Sequence, residues 1–436
     1  VWLDEIHTLV EANSSLSVSG VYNEVLRGEQ IPPHYFIVVN FLFKIFGYTP
    51  FVVRFLSVIL GVLGIYSIYL LIKQFGFKKE ALIAAFLVSI NYFHIYYSQE
   101  ARPYTMLFLF TNLSFVYLVK SIKNITWKNT LLYGLTAGLM IGSHLFGMFV
   151  LFSQLVILLA VFIVEKGFLN KSTLIKFLGS GVLIILLFLP SLEVVLKSSE
   201  MTSFWVTQNL PDAFTVIFKD LFANSEFLFS LFLIFVILYI LRVSKINQKI
   251  SIQNNELFLF SVVMIWMFFL ILIPLLRSYI SVPMLINRYF ISLLPALLII
   301  ASFGLAFIKN TLVRGTLITI FVFFSMADLI VIKNYYLKPT KSQFRESSAF
   351  VLSKVGKNEK VVSSLPNYFN YFFQKSNIKL IDSNLDTFVS TQDTTKVESF
   401  WYIDAHGRTF SPTIETQNRL EKYYFLEDNF EGHDAW

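Results

Sequence analysis

The chain has no cysteine, so neither a disulfide nor a thiolate nucleophile is available to it. Charge is scarce as well. Only 14% of the 436 residues are charged, where a soluble globular chain carries about 25%. Nucleotide-handling and hydrolase motifs are missing: the sequence contains no P-loop, no glycine-rich dinucleotide turn, no Ser-His-Asp pattern and no HExxH. A reaction catalysed by this chain must therefore start from an already activated donor. What the chain has in abundance is apolar side chains, at 56% of residues. Long apolar runs at this density predict a polytopic helical membrane protein.

The net charge of +7 does not indicate nucleic acid. Residues 1–333 hold 23 Lys+Arg and 15 Asp+Glu, a net of +8. Residues 334–436 hold 12 and 13, a net of −1. The positive charge thus belongs to the apolar part. Apolar runs lie near 51–72, 81–97, 103–119, 130–143, 147–164, 174–190, 227–241, 256–275, 289–308 and 315–332, which gives ten candidate spans. The weakest pair, 130–143 and 147–164, reads as a tight hairpin or as one broken helix. Of the 23 basic residues, 14 fall in one set of alternate loops: Lys73, Lys78 and Lys79; Lys120, Lys123 and Lys128; Lys166, Lys171 and Lys176; Arg242, Lys245 and Lys249; Lys309 and Arg314. Loops rich in Lys and Arg face the cytoplasm. The alternation persists only if 130–164 crosses twice, which favours the hairpin. The other loops, and everything after Lys333, then face outward.

Three regions follow. Residues 1–50 form a first outer loop with interfacial helical patches, among them 34–46, entered through Pro32-Pro33. Residues 51–333 form the membrane domain. Residues 334–436 form a small extracytoplasmic α/β domain, with helices at 343–355 and 413–424 and strands at Val361–Leu365, Ile378–Asp382 and Phe400–Asp404. Because Val1 comes first and no span or signal precedes Asp4, a further span is expected before residue 1, and material is also expected after Trp436.

Charges near a bilayer are expensive and mark function. Asp4-Glu5 is one such place. Neighbours on a helix point about 100° apart, so the pair divides labour rather than forming one site. A carboxylate there can take a proton from an attacking hydroxyl, or the pair is an ordinary solvated loop end. The turn Gln99-Glu100-Ala101-Arg102-Pro103-Tyr104 is richer. Arginine presents a fork of donors matched to phosphate, while Gln99 and Tyr104 add hydrogen-bond capacity. The alternative is a snorkelling arginine paired with Glu100.

Arg54 heads the first visible span, where it holds a phosphate or braces Asp4 or Glu5. Ser57, Gly61, Gly64 and Ser67 follow at helical spacing as a packing face. Asn287-Arg288-Tyr289 is an interfacial anchor or a second phosphate group. His7 and His144 lack the companions of a zinc motif and suit structural or hydrogen-bonding roles. Asp328, inside the last span, is a lone acid. Trp205, Pro211 and Asp212 mark the 191–226 loop as a substrate cover or a plain connection.

Taken in order, Asp4-Glu5, Pro32-Pro33-His34-Tyr35, Arg54-Phe55-Leu56-Ser57, Tyr97 to Tyr104, Ser143-His144-Leu145-Phe146-Gly147 and Asn287-Arg288-Tyr289-Phe290 resemble a known family. It is the bacterial branch of the protein O-mannosyltransferase and aminoarabinose transferase family (glycosyltransferase family 39-like). These are membrane glycosyltransferases of the GT-C fold. The resemblance covers about residues 1–335, and Gln343-Phe344-Arg345-Glu346 resembles the start of the outer domain of bacterial members.

The resemblance implies transfer of a sugar, with inversion, from a polyprenyl-phosphate-linked donor to a hydroxyl on a lipid, glycan or protein acceptor at the outer face of the cytoplasmic membrane. It implies Asp4 as the catalytic acid residue, Glu5 as its partner, and Arg102 beside the lipid phosphate, with Arg54 and Arg288 as further phosphate ligands and Gln99, Glu100, Tyr104 and His144 in support. No cofactor is firmly implied, and the place of a divalent metal is left open. Two departures narrow the acceptor. Ile31 stands where aminoarabinose transferases carry a lysine before Pro-Pro, and no segment is long enough for the inserted β-trefoil of eukaryotic protein mannosyltransferases. The competing reading is a transporter or flippase of lipid-linked sugars, which would show mid-membrane charges and an inverted repeat. A third is a non-catalytic scaffold whose tail binds a partner, which leaves the Gln99–Arg102 cluster unexplained.

Overall fold

The computed structural model describes residues 1–29, 31–165, 167–168, 170–200, 212–356, 359–408 and 410–436. Trp205 and Pro211 lie outside the described residues, as does Lys166. The helices are α1 (Leu3–Glu11), α2 (Val18–Arg27), α3 (His34–Phe46), α4 (Pro50–Lys73), α5 (Lys78–Ser89), α6 (Tyr92–Ser98), α7 (Tyr104–Lys123), α8 (Trp127–Ser143), α9 (Gly147–Val164), α10 (Lys171–Phe188), α11 (Leu192–Glu200), α12 (Glu226–Val243), α13 (Asn255–Ile280), α14 (Leu294–Phe307), α15 (Thr311–Ala327), α16 (Phe344–Lys354), α17 (Pro366–Phe373), α18 (Leu385–Thr391) and α19 (Ile414–Tyr423). The strands are β1 (Lys360–Ser363), β2 (Leu380–Asp382) and β3 (Phe400–Tyr402). The chain divides into two compact units, Glu11–Lys333 and Val1–Val10 with Asn334–Trp436. Residues 1–50, expected as one segment, are thus divided after Val10.

In the larger unit, each of the ten apolar runs contains a helix, but not ten spans. Seven helices among the described residues are long and apolar enough to cross a membrane, or eight if one bent pair counts as a span. The shortfall has local causes. The run at 81–97 breaks into α5 and α6, bent by 62°. At the break, Asn91 Oδ1 accepts the His94 N–H and caps α6, while its Nδ2 donates to the Leu221 carbonyl. The run at 289–308 spends its first residues on a 3₁₀ turn (Asn287–Ser292), leaving α14 only 14 residues. The helix α8, at 17 residues, stops at His144, whose backbone is extended.

The pair 130–143 and 147–164 forms two helices packed on one another, as the hairpin reading expects. Gly147 makes the turn between them possible: a Cβ there would lie 2.7 Å from the Met140 carbonyl oxygen. The centre of the unit is α7, with 78% of its apolar window buried, against 22% for the outlying Lys171–Glu200 and Thr311–Ile332. Ser57, Gly61, Gly64 and Ser67 are all buried along α4. A Cβ at Gly61 would meet Ser98 Oγ at 2.4 Å, and one at Gly64 would meet Phe108 at 2.7 Å. This is the close helix approach expected of small residues in a membrane.

The smaller unit is an open parallel sheet of order β2-β1-β3. Alternation along β1 sends Val361 to one face and Val362 to the other. Val361 packs with Phe344, Phe369, Phe373 and Ile403, hence with α16 and α17. Val362 packs with Leu385, Phe388 and Val389 of α18. The three strands lie where the sequence predicts them; α17 and α18 were not anticipated. Ile6 of α1 is 1% exposed in the first of these clusters, which fixes α1 to the sheet.

Candidate active site

Within the larger unit, three chain breaks bring charged and aromatic residues together. The first is the turn from α6 to α7. Gln99 ends α6, the Arg102 N–H donates to the Glu100 carbonyl at 2.8 Å, and α7 starts at Tyr104. The second is the turn at His144. The third is the 3₁₀ turn that carries Arg288. Its backbone N–H donates to Asn287 Oδ1 at 2.7 Å, and Asn287 Nδ2 in turn donates to Asp220 Oδ2 at 3.0 Å.

The rings join these turns. Tyr97 and Tyr104 meet edge to face at 5.1 Å. The Arg288 guanidinium lies 6.0 Å from the centre of the Tyr104 ring. His144 lies 4.5 Å from Tyr289 and 6.1 Å from Tyr104. Arg102 is 5% exposed and forms an ion pair with Glu29 at 2.5 Å. The guanidinium is buried rather than reaching to water, as the snorkelling alternative would have it, and Glu29 on the α2–α3 connection pairs with it.

His144 reports the local field. Burial, together with the positive charges of Arg102 and Arg288, pushes its pKa down from 6.5 to about 3. Its Nδ1 accepts the Phe146 backbone N–H at 3.2 Å. The neutral imidazole therefore carries its proton on Nε2. Both guanidinium charges act on this imidazole, although Arg102 is already paired with Glu29, and a guanidinium fork suits an anion with planar acceptor edges.

Asp4 and Glu5 lie in the first turn of α1, in the smaller unit. They are not a solvated loop end: Asp4 is 8% exposed and Glu5 1%. The helix is held by Thr8, which donates to the Asp4 carbonyl at 3.4 Å, and by His7, whose Nε2 lies 3.1 Å from the Tyr368 hydroxyl. His7 thus takes the structural role expected of it. Arg54 is half-buried in the first turn of α4. Asp328 is buried on a π-helical turn (Asp328–Ile332), and its Oδ2 makes no hydrogen bond among the described residues. Among the described residues, no three His, Cys, Asp or Glu side chains converge to hold a metal ion.

Sequence reasoning missed Glu29 and Glu11, and it named Tyr289 only as part of an interfacial anchor, not as a ring beside His144. Glu11 is 3% exposed and reaches Gly28, where a Cβ would sit 2.0 Å from its Oε1. Glu29 and Arg102 are 73 positions apart, so no local pattern links them.

Two solved structures of ArnT from Cupriavidus metallidurans resemble the chain over most of its length. The apo form matches with a TM-score of 0.56 at 10% identity, covering 97% of this chain and 90% of that one. The form bound to undecaprenyl phosphate matches with a TM-score of 0.55 at 11% identity, covering 93% and 87%. The chain has the fold of a GT-C glycosyltransferase. An oligosaccharyltransferase from Archaeoglobus fulgidus gives a TM-score of 0.49 at 14% identity, over 81% of this chain and 56% of that protein. The family model for dolichyl-phosphate-mannose-protein mannosyltransferase matches residues 30–193. That stretch contains Arg54, Arg102 and His144 and ends before Arg288. No curated protein matches the chain significantly.

Proposed function

We propose that the chain is a glycosyltransferase of the cytoplasmic membrane that moves a sugar from a polyprenyl-phosphate carrier to an acceptor hydroxyl on the outer face. The observation that carries this reading is the pairing of Arg102 and Arg288 around His144, Tyr104 and Tyr289. The GT-C fold supports it, and so does the undecaprenyl phosphate held by the similar ArnT. A flippase reading finds little support, because apart from Asp328 the charged groups among the described residues gather toward helix ends rather than mid-span.

In this reaction the acceptor oxygen attacks the anomeric carbon and gives its proton to Asp4. The bond from that carbon to the phosphate oxygen breaks on the opposite side, which inverts the centre. The electron pair leaves with the polyprenyl phosphate, and Arg102 and Arg288 stabilise the added charge. Glu5, one position along α1, braces the acid. Arg54 adds positive charge, while Gln99, Glu100, Tyr104 and His144 shape the phosphate end. The lysine-rich alternate loops support an outer location for this chemistry.

Asp4→Asn keeps size and hydrogen bonding but removes basicity. General-base catalysis contributes about 10²–10⁴-fold, so single-turnover transfer should fall at least a hundred-fold (roughly) while donor affinity holds. Transfer at the wild-type rate in both Asp4→Asn and Glu5→Gln would remove these acids from the chemistry.

A further inference from the structure

The strand order β2-β1-β3 reverses direction at β1. The connection through α17 lies on one face of the sheet and the one through α18 on the other. In open α/β sheets, ligands bind beyond the carboxyl ends of the strands where the order reverses. At that place the smaller unit holds a cavity of about 770 Å³. Ser364 enters it after β1, Asp382 and Asn384 after β2, and Asp404 after β3.

Asp404 is the least expected of these. It is 2% exposed. Its Oδ2 accepts hydrogen bonds from Ser364 at 2.6 Å and from Tyr402 at 3.0 Å. Its Oδ1 is buried and takes no hydrogen bond from a side chain among the described residues. Burial raises its pKa, against those two hydrogen bonds and a backbone contact at Ala405. A buried acceptor without a side-chain donor, on the wall of a cavity, calls for a donor from a ligand.

An aromatic wall stands beside it. The Trp436 ring stacks with Tyr402 at 5.4 Å and 30°, and Phe410 meets Trp436 at 5.2 Å. The indole is fixed by its N–H, which donates to the Arg408 carbonyl at 2.6 Å. Phe410 itself is 60% exposed.

The chemistry of the lining excludes other ligands. Asp382, Asp386 and Asp404 face one arginine, Arg408, which disfavours an anion. The turn after β1 reads Ser364-Leu365-Pro366, without glycine, and α17 begins on Pro366, which has no N–H to offer. A phosphate cradle needs both. A metal lacks three converging ligands among the described residues. Carboxylates and hydroxyls beside a fixed aromatic face suit an uncharged polyol.

We propose that this cavity binds a neutral saccharide, with a C–H face of the sugar on Trp436 and Phe410 and its hydroxyls donating to Asp404 and Asp382. The proposal stands on the α/β unit alone and not on the transferase reading. It is tested with the full chain in detergent by saturation-transfer-difference NMR and titration calorimetry. The probes are cellotriose, maltotriose, mannotriose and chitotriose, with AMP and inorganic phosphate alongside. At least one trisaccharide should bind, and Trp436→Ala and Phe410→Ala should each weaken it about tenfold. Asp404→Asn should weaken it as well. If Asp404→Asn lowers the Tm, the exposed Phe410 still decides. The proposal is overturned if no trisaccharide binds, if the aromatic substitutions leave binding unchanged, or if AMP or phosphate binds here in preference to the sugars.

Discussion

Two partly buried arginine clusters flank α14, and they are built to opposite ends. Past the carboxyl end of α14, Arg242 is held by two carboxylates, Glu80 at 2.9 Å and Glu256 at 2.5 Å. Its guanidinium also lies over the rings of Phe303 and Phe77 at 4.8 and 5.7 Å. One cation with two anions and two aromatic covers is a satisfied structural clamp joining α5, α12, α13 and α14. Before the amino end, about 21 Å of helix away, Arg102 and Arg288 act on the same imidazole, His144. Arg102 is paired with Glu29, and the rings of Tyr104, His144 and Tyr289, from three separate turns, lie around the two cations. Buried charge alone therefore does not mark a functional site. Whether the cations converge on one point separates binding from bracing.

Breaking each cluster sharpens this contrast. The largest stability effect belongs to the clamp. Arg242→Ala leaves Glu80 and Glu256 facing each other without a cation, which should cost about 3–5 kcal/mol. Thermal unfolding in detergent, or loss of folded protein on expression, reads this out. A variant as stable as the wild type would show that Arg242 braces nothing.

A smaller effect belongs to His144 and depends on pH. Its folded pKa, about 3, lies below the unfolded 6.5. Folding thus favours the neutral ring, and that contribution is complete above pH 6.5 and is lost as pH falls toward 3. The Tm should decline across that window, and His144→Gln should decline less. Equal slopes for the two proteins would mean that His144 is not held neutral by its surroundings.

How much of this was legible beforehand depends on the range of each interaction. The small face Ser57, Gly61, Gly64 and Ser67 could be read from spacing, because helix packing repeats every three or four residues. The three strands of the α/β unit followed from short β-branched and aromatic runs. The number of spans did not follow, because hydropathy averages over Asn91, a single cap that breaks one run, and over the 3₁₀ turn that shortens another. Arg102 and Arg288 stood out as interfacial arginines. That they meet at His144 did not, since 186 positions separate them in the chain. Glu29 was invisible for the same reason. Asp4 and Glu5 were noticed as a pair, but burial of both requires the packing of α1, which no dipeptide reveals.

The central claim is that Arg102 and Arg288 bind phosphate while Arg242 only braces. Titrating undecaprenyl phosphate into the purified wild type and into Arg102→Ala, Arg288→Ala and Arg242→Lys tests it directly. Losing a charged hydrogen-bond partner costs about 1.5–3 kcal/mol, roughly ten- to a hundred-fold. Arg102→Ala and Arg288→Ala should each weaken binding by that amount, and Arg242→Lys should leave it unchanged. Undiminished affinity in both Arg102→Ala and Arg288→Ala, or a loss confined to Arg242→Lys, would contradict the account.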